Sequence, residues 1–165
     1  MYIRIETDRL AIRPVVASDS EFMFRIMNAK GWLNFIGDRG IRETADAAAY
    51  IEKLIEDPNF YYHVFENKIT AQAMGLITFI YRDTLDFPDI GFALLPEFGK
   101  KGYAYEAARA YLDILIHENV SSKILGITDP DNVNSIKLLE RLGLEQVWNE
   151  EATNDLLTYS ITIVK

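Results

Sequence analysis

The sequence predicts an α/β domain of the mixed α+β kind, a mixed β-sheet with helices covering it. Three observations predict it. Short runs rich in β-branched and aromatic residues recur along the chain, as in Phe60 to Glu66 and Ala71 to Tyr81. Apolar residues at helical spacing fill other stretches, such as Ala48, Ile51, Leu54 and Ile55. After two helices and a run of antiparallel-looking strands, the chain continues as strand–helix–strand–helix–strand–strand.

Residues 2–5 and 10–15 read as two short strand pieces around Glu6 to Arg9, with Pro14 at a strand end or sheet edge. Ser18 and Asp19 are candidate caps for a helix from Ser20 to Met27, with Phe22, Met23, Ile26 and Met27 to one side. Asn28 to Gly40 is irregular, yet its Trp32, Leu33, Phe35 and Ile36 are more apolar than a solvated loop needs. They either pack over the core edge or form a substrate-side wall, for which Trp32 and Phe35 are the candidates. Arg42 to Asp57 is a second helix, capped by Thr44 and ended by Asp57-Pro58-Asn59. The strands Phe60 to Glu66 and Ala71 to Tyr81 form a hairpin across Asn67-Lys68, and Gly75 marks a bulge or a close approach.

Strand Ile90 to Leu95 follows a turn at Asp83 to Asp86. From Gly102 onward, Ala104, Ala107, Ala108, Tyr111, Leu112 and Leu115 trace one face of a helix that closes at Asn119. Strand Lys123 to Thr128 leads through Asp129-Pro130-Asp131-Asn132 into a short helix stopped by Gly143. Two strands, Leu144 to Trp148 and Asp155 to Ile163, close the chain around an acidic turn at Asn149 to Asn154. No repeat, low-complexity tract or linker interrupts the pattern, so residues 1–165 read as one domain.

Composition narrows the function classes. The formal net charge of −8 argues against nucleic acid or an anionic membrane as partner and tolerates an amine-bearing one; solubility alone explains the acidity equally well. There is no cysteine, hence no disulfide, no thiolate nucleophile and no Cys-based metal site. His63 and His117 stand outside any ligand-spaced cluster, so no metal is expected. No basic-then-apolar leader and no membrane-length apolar run is visible, which makes the cytoplasm the expected location. Oligomeric state is open, a homodimer included.

The stretch that carries chemistry is Phe87 to Ala108. An apolar strand ends at Pro96, the glycine-bracketed basic loop Gly99-Lys100-Lys101-Gly102 follows, and a helix begins. Unpaired N–H groups of a helix's first turn make an anion cradle, and glycines let the backbone close on a ligand. The same residues also make a plain strand-to-helix turn whose lysines face water. Neither a P-loop nor a dinucleotide fingerprint is present.

Taken with its neighbours, this stretch resembles the GNAT-type acyl-CoA N-acyltransferases, and within them the ribosomal-protein alanine acetyltransferase-like branch. Four segments carry the resemblance: IETDRLAIRPVVASD, DIGFALLPEFGKKGYAYEA, TDPDNVNSIKLLERLGL and the following LEQVW, spaced over nearly the whole chain in the family's order. The resemblance implies the acyl-CoA N-acyltransferase fold, a curved mixed sheet of six to seven strands with about four helices. It implies acetyl-CoA as acyl donor and a primary amine as acceptor, either a protein N-terminus or a small molecule. Ile90 to Leu95 would then splay from its neighbour to admit the pantetheine arm along Phe92, Ala93, Leu94 and Leu95. Backbone N–H groups from Gly99 through Lys100, Lys101, Gly102, Tyr103 and Ala104 would hold the diphosphate, and Asn132 and Ser135 would stand near the thiol end. One departure is visible: Lys100 occupies a position where the family usually has glycine.

Acyl transfer to an amine needs a proton acceptor for the amine, polarisation of the carbonyl and stabilisation of the leaving thiolate. Without cysteine, direct attack in a ternary complex is the simplest route. Asp89, on the strand face shared with Gly91 and Ala93, is a candidate base or amine-holding carboxylate; equally it caps a strand end. Ser135 is a candidate partner of the sulfur or carbonyl, and equally a helix-start hydroxyl. Tyr103 lines the cofactor groove or simply packs. Asn132 is either a cofactor contact or an N-cap. Glu106 reads as a favourable first-turn carboxylate rather than a base.

Overall fold

In the computed structural model, which describes residues 3–147 and 155–163, the period-two segments pair into one sheet. Its strands are β1 (Ile5–Glu6), β2 (Leu10–Pro14), β3 (Phe60–Asn67), β4 (Ala73–Ile80), β5 (Asp89–Leu94), β6 (Lys123–Thr128), β7 (Glu145–Val147) and β8 (Leu157–Thr162). The order across the sheet is β1-β2-β3-β4-β5-β6-β8-β7, and every neighbouring pair is antiparallel except β5 and β6. The helices are α1 (Ser20–Met27), α2 (Lys30–Phe35), α3 (Thr44–Glu56), α4 (Tyr103–His117) and α5 (Val133–Arg141). Trp148 and the acidic turn Asn149 to Asn154 lie outside the described residues.

The counts exceed the expected six to seven strands and four helices for local reasons. β1 is a two-residue edge strand, closed onto β2 by a turn in which Thr7 N–H donates to Leu10 O at 2.9 Å. The extra helix, α2, falls where an irregular segment is expected. Trp32 is the cause: it is 4% exposed, and burying an indole outweighs the poor helix propensity of Gly31. Leu33 and Phe35 of the same short helix, and Ile36 just after it, remain about 40% exposed.

Alternation along the strands sends side chains to two cores, one on each face of the sheet. Beneath α4 and α5 lie Ile12, Phe65, Phe79, Ile90, Tyr111 and Leu139, all almost fully buried. Beneath α1, α2 and α3 lie Met23, Ile26, Trp32, Ile51, Val64 and Leu76. The buried residues of α3 are Ala47, Ile51 and Leu54; Ile55, expected in that stripe, is exposed. Gly75 is a close approach: a Cβ there would lie 2.1 Å from the Phe65 ring and 2.4 Å from the Ala93 carbonyl oxygen. The ladder between β3 and β4 also shifts register at Phe65/Glu66.

Polar groups inside this frame are paired with care. Arg13 of β2 binds Asp19 through two bonds of 2.8 Å and Glu66 at 3.0 Å, and these carboxylates raise its pKa further against the opposing effect of burial. Asp19 also accepts Val16 N–H at 2.8 Å, so it ends the preceding turn instead of capping α1 as its sequence position suggests. Likewise Thr44 is the first residue of α3 and the capping is done by Asp46, which accepts the Arg42 and Glu43 N–H groups.

His63 is fully buried on the α4 side, edge-on to Tyr111 with ring centroids 4.9 Å apart, and its Nε2 accepts Ile3 N–H at 3.3 Å. Burial pushes its pKa down to about 4. A depressed histidine contributes stability that is whole above its unfolded pKa of about 6.5 and is lost as pH falls toward the folded value. Replacing His63 by Gln removes this titration. Denaturation between pH 7.5 and pH 5 should therefore show the wild type losing about 2 kcal/mol relative to His63→Gln. Parallel stability–pH curves for the two proteins would refute the assignment.

Candidate active site

The site begins with a parting of strands. β4 and β5 pair along six positions from Gly75↔Leu94 to Ile80↔Asp89, and β6 and β8 along six from Lys123↔Thr162 to Thr128↔Leu157. Between β5 and β6, however, only Asp89↔Leu125 pairs, with Leu125 N–H donating to Pro88 O at 2.9 Å. Each strand keeps its outer neighbour, so the two diverge toward their carboxyl ends and leave a wedge. Leu95 N–H donates to Met74 O, and Ile163 N–H donates to Ser122 O, which fixes the phase of both ladders. By alternation, Phe92 and Leu94 of β5 and Ile127 of β6 turn their backbone N–H and C=O groups into the wedge. Such edges accept an amide-bearing ligand as they would another strand.

At the mouth, β5 runs through a 3-10 turn at Pro96–Phe98 into the basic loop and α4. The positive φ values in the loop belong to Lys100 (62°) and Gly102 (79°). Gly99, expected to use that freedom, has φ −61° and ψ 160°, an ordinary extended conformation. The first helical bond of α4 is Glu106 N–H to Gly102 O at 3.0 Å, so the N–H groups of Tyr103, Ala104 and Tyr105 have no helical acceptor. Together with the positive end of the α4 dipole they give the loop a local positive potential.

A clamp from the other end of the chain holds this loop. Glu106 accepts Thr7 Oγ1 at 2.6 Å, Arg9 N–H at 3.1 Å and Arg9 Nε at 2.6 Å. Arg9 Nη1 donates to Lys101 O at 3.1 Å, and its guanidinium lies 4.4 Å from the centroid of the Tyr103 ring. Burial pushes the Glu106 pKa up, but the bonds from Thr7 and Arg9 outweigh it and the net direction is down. Glu106 is thus a fixed anion, as its first-turn position suggests. The clamp itself was not singled out from sequence. In sequence Thr7 and Arg9 read as part of the Glu6 to Arg9 turn and of a resembling segment, and nothing local ties them to a helix about a hundred residues on.

Across the wedge, β6 leads to α5, whose N-cap is Asn132: its Oδ1 accepts Ser135 N–H at 3.2 Å. The side-chain oxygen of Asn132 therefore serves the helix, one of the two roles its position allowed. Ser135 sits half-buried in the first turn. The structure brings the segments 92–95, 99–104 and 132–135 to the carboxyl ends of the two diverging strands, the usual ligand crevice of an open α/β sheet.

Two candidates stand apart. Asp89 lies at the closed end, 4% exposed, and binds Arg82 through Nε at 2.6 Å and Nη2 at 3.3 Å. Its carboxylate is already engaged, and Arg82 is a partner the sequence reading did not include. Trp32 packs in the core with residues of α1 and α3, the first of its two readings, and does not serve as a substrate-side wall; Phe35 is 39% exposed. Among the described residues no cluster of His, Asp and Glu has the makings of a metal site, and no helix is long and apolar enough to cross a membrane.

Residues 9–145 match the family model described as an acetyltransferase (GNAT) domain. The chain belongs to the GNAT acetyltransferase family. The match opens at Arg9, the clamp residue, and includes the wedge, the loop and the start of α5. Among curated relatives of this GNAT chain is the "uncharacterized N-acetyltransferase YnaD" of Bacillus subtilis (strain 168), 24% identical, with 87% of this chain and 84% of that one aligned. A GNAT-family acetyltransferase from Bacillus anthracis shares the fold at TM-score 0.82 and 21% identity, covering 97% of this chain and 98% of that one. RimL, a ribosomal α-N-protein acetyltransferase solved in complex with coenzyme A, superposes at TM-score 0.82 with 14% identity, covering 98% of each chain.

The GNAT loop of this chain carries a testable strain. A left-handed φ costs a residue with a Cβ about 1–2 kcal/mol, partly offset by glycine's larger unfolded-state entropy. Lys100→Gly should therefore stabilise the protein by about 0.5–1 kcal/mol, read as a higher urea midpoint at unchanged slope. A lowered midpoint would show that the lysine side chain makes contacts worth more than the strain.

Proposed function

We propose that this protein moves an acetyl group from acetyl-CoA to a primary amine by direct attack within a ternary complex. The observation that carries the proposal is the parting of β5 and β6 directly below the uncapped N-terminus of α4. The N–H groups from Gly99 to Ala104 are read as holding the diphosphate, with Lys100 and Lys101 adding positive charge to a loop of an acidic chain. The open edges of Phe92 and Leu94 would accept the two amides of the pantetheine arm, and Ala93 and Leu95 shape the cleft beside them. The coenzyme-bound state of RimL supports this, since the two chains share their fold over nearly their whole length.

In the proposed reaction the amine nitrogen attacks the thioester carbonyl, the C–S bond breaks, and the nitrogen proton ends on the departing sulfur. Amide and free CoA thiol are the products. Ser135, in the first turn of α5, is assigned to hydrogen-bond the sulfur as negative charge develops there, with the Tyr103 hydroxyl as the other candidate. Asp89 is assigned to the amine, taking up its proton directly or through water and passing it back by way of solvent to the departing sulfur, while Arg82 holds the carboxylate in place. Phe35 lines the approach. A protein N-terminus, the acceptor of the ribosomal-protein branch, and a small amine both fit a cytoplasmic enzyme of this kind.

A second reading, a non-catalytic acyl-CoA-binding module, is favoured by one observation: Asp89 is already bound by Arg82. Two measurements separate the readings. Calorimetry should show acetyl-CoA binding well below about 1 mM; its absence there removes both. Thiol release should then follow addition of an amine or an N-terminal peptide, whereas binding without release leaves the module. Ser135→Ala should retain acetyl-CoA binding and lower kcat by about tenfold to hundredfold. Unchanged turnover would take Ser135 off the reaction path.

A further inference from the structure

We infer that the Thr78 hydroxyl binds the acceptor amine and, with Asp89, turns its lone pair toward the thioester. This rests on the acetyl-transfer reading and deepens it by assigning the acceptor's side of the wedge. Thr78 stands in β4, an interior strand of the sheet. Every other residue from Met74 to Ile80 is buried, and Thr78 alone is half-buried. Leu76 and Ile80, its neighbours at two-residue spacing, belong to the core beneath α1, α2 and α3, so alternation points Thr78 to that face. The helices cover this face at Leu76 and Ile80 but leave an opening at Thr78. Gly91 and Ala93, the residues of β5 paired with Thr78 and Leu76, are half-buried too.

The opening lies at the apex of the wedge. Gly91 is the first residue of its face beyond Asp89↔Leu125, the pair at which β5 and β6 part. A Cβ at Gly91 would lie 2.6 Å from Thr78 Oγ1, so the hydroxyl occupies the space over that glycine. Among the described residues Thr78 Oγ1 makes no hydrogen bond, which leaves both its donor and its acceptor capacity to a ligand or water. Asp89 shares the face: its partner on β4 is Ile80, and it stands two residues from Gly91, about 7 Å along the strand. Arg82 Nε donates to its carboxylate at 2.6 Å. An amine can give one N–H to Thr78 Oγ1 and the other to Asp89, directly or through one water. Its lone pair then remains for the carbonyl carbon in the wedge. Tyr62, the partner of Thr78 on β3, is 6% exposed, and burial pushes its pKa up. It therefore stays a neutral hydroxyl and does not compete with Asp89 as a base.

Thiol release measured with acetyl-CoA and two acceptors, an alanine-initiated peptide and glycinamide, tests the assignment. Thr78→Val keeps the branched shape and removes the hydroxyl. It should lower kcat/KM for the amine by about tenfold and leave acetyl-CoA affinity, read by calorimetry, unchanged. Thr78→Ser should restore most of the loss, because it returns the hydroxyl without the methyl group. A residue that only packed would show the opposite order, with valine tolerated and serine not. Retained acetyl-CoA affinity serves as the control for folding. Unchanged amine kcat/KM in Thr78→Val, or a loss of acetyl-CoA affinity there, overturns the inference and leaves the transfer reading standing. A wild type that binds acetyl-CoA but releases no thiol to either acceptor overturns both.

Discussion

The constraint on which the structure turns is the single register pair between β5 and β6. In the interior of an eight-stranded sheet, neighbouring strands normally satisfy each other's N–H and C=O groups along their whole length. Here Asp89 and Leu125 do so and the strands then part, because β4 holds β5 along six positions and β8 holds β6 along six. The edge groups of Phe92, Leu94 and Ile127 must therefore find water or a ligand. Leaving a buried amide unpaired costs about 1–3 kcal/mol, so a sheet of this design is stable only if its wedge is wet or filled. The parting also sets where α4 and α5 enter the fold. They follow two parallel strands, and the chain leaves each strand at its carboxyl end to enter its helix.

The loop at that opening is held by opposing demands. It needs two left-handed residues to turn the chain from the 3-10 segment into α4, and one of them is a lysine. The Arg9 clamp supplies a counterweight: three contacts to Glu106 and one to the Lys101 carbonyl tie the loop to the β1–β2 turn. Arg9 is half-exposed, so each bond by itself is modest, and the effect comes from several of them sharing one side chain. Removing the clamp would release the segment that carries the free N–H groups at the start of α4.

Much of this was legible in the sequence, and the reasons are local. Strand and helix positions follow from periodicity, which is a short-range signal; the central strand, the loop and the α4 face were placed from it within a residue or two. Gly75 was legible as a close approach because a glycine inside an apolar strand has few other uses. What escaped was pairing at a distance. Arg9 with Glu106 and Arg82 with Asp89 involve ordinary surface-type residues whose meaning appears only when the chain is folded. Trp32 escaped for a related reason: an apolar cluster in an irregular segment does not say which member turns inward. Lys100 is the instructive case. Its identity looked like support for anion binding, but the backbone shows the more specific fact that it stands where a glycine would be unstrained.

Net charge is a weak argument about what one edge of a sheet can bind. A chain with eight surplus negative charges would not be expected to seat a polyanion, yet the features that fit one owe little to the total. Fields from exposed surface carboxylates are screened within about 8–10 Å at physiological salt. The N–H groups at the start of α4 act by contact, at hydrogen-bond distance, where screening is ineffective. Two carboxylates close to the loop in sequence are neutralised in place: Glu106 by Arg9, and Glu97 by Arg25. The acidic composition is thus compatible with an anionic ligand at one edge of the sheet, provided the positive groups there outnumber the unpaired negative ones. Lys100 and Lys101 add that positive charge within the loop itself.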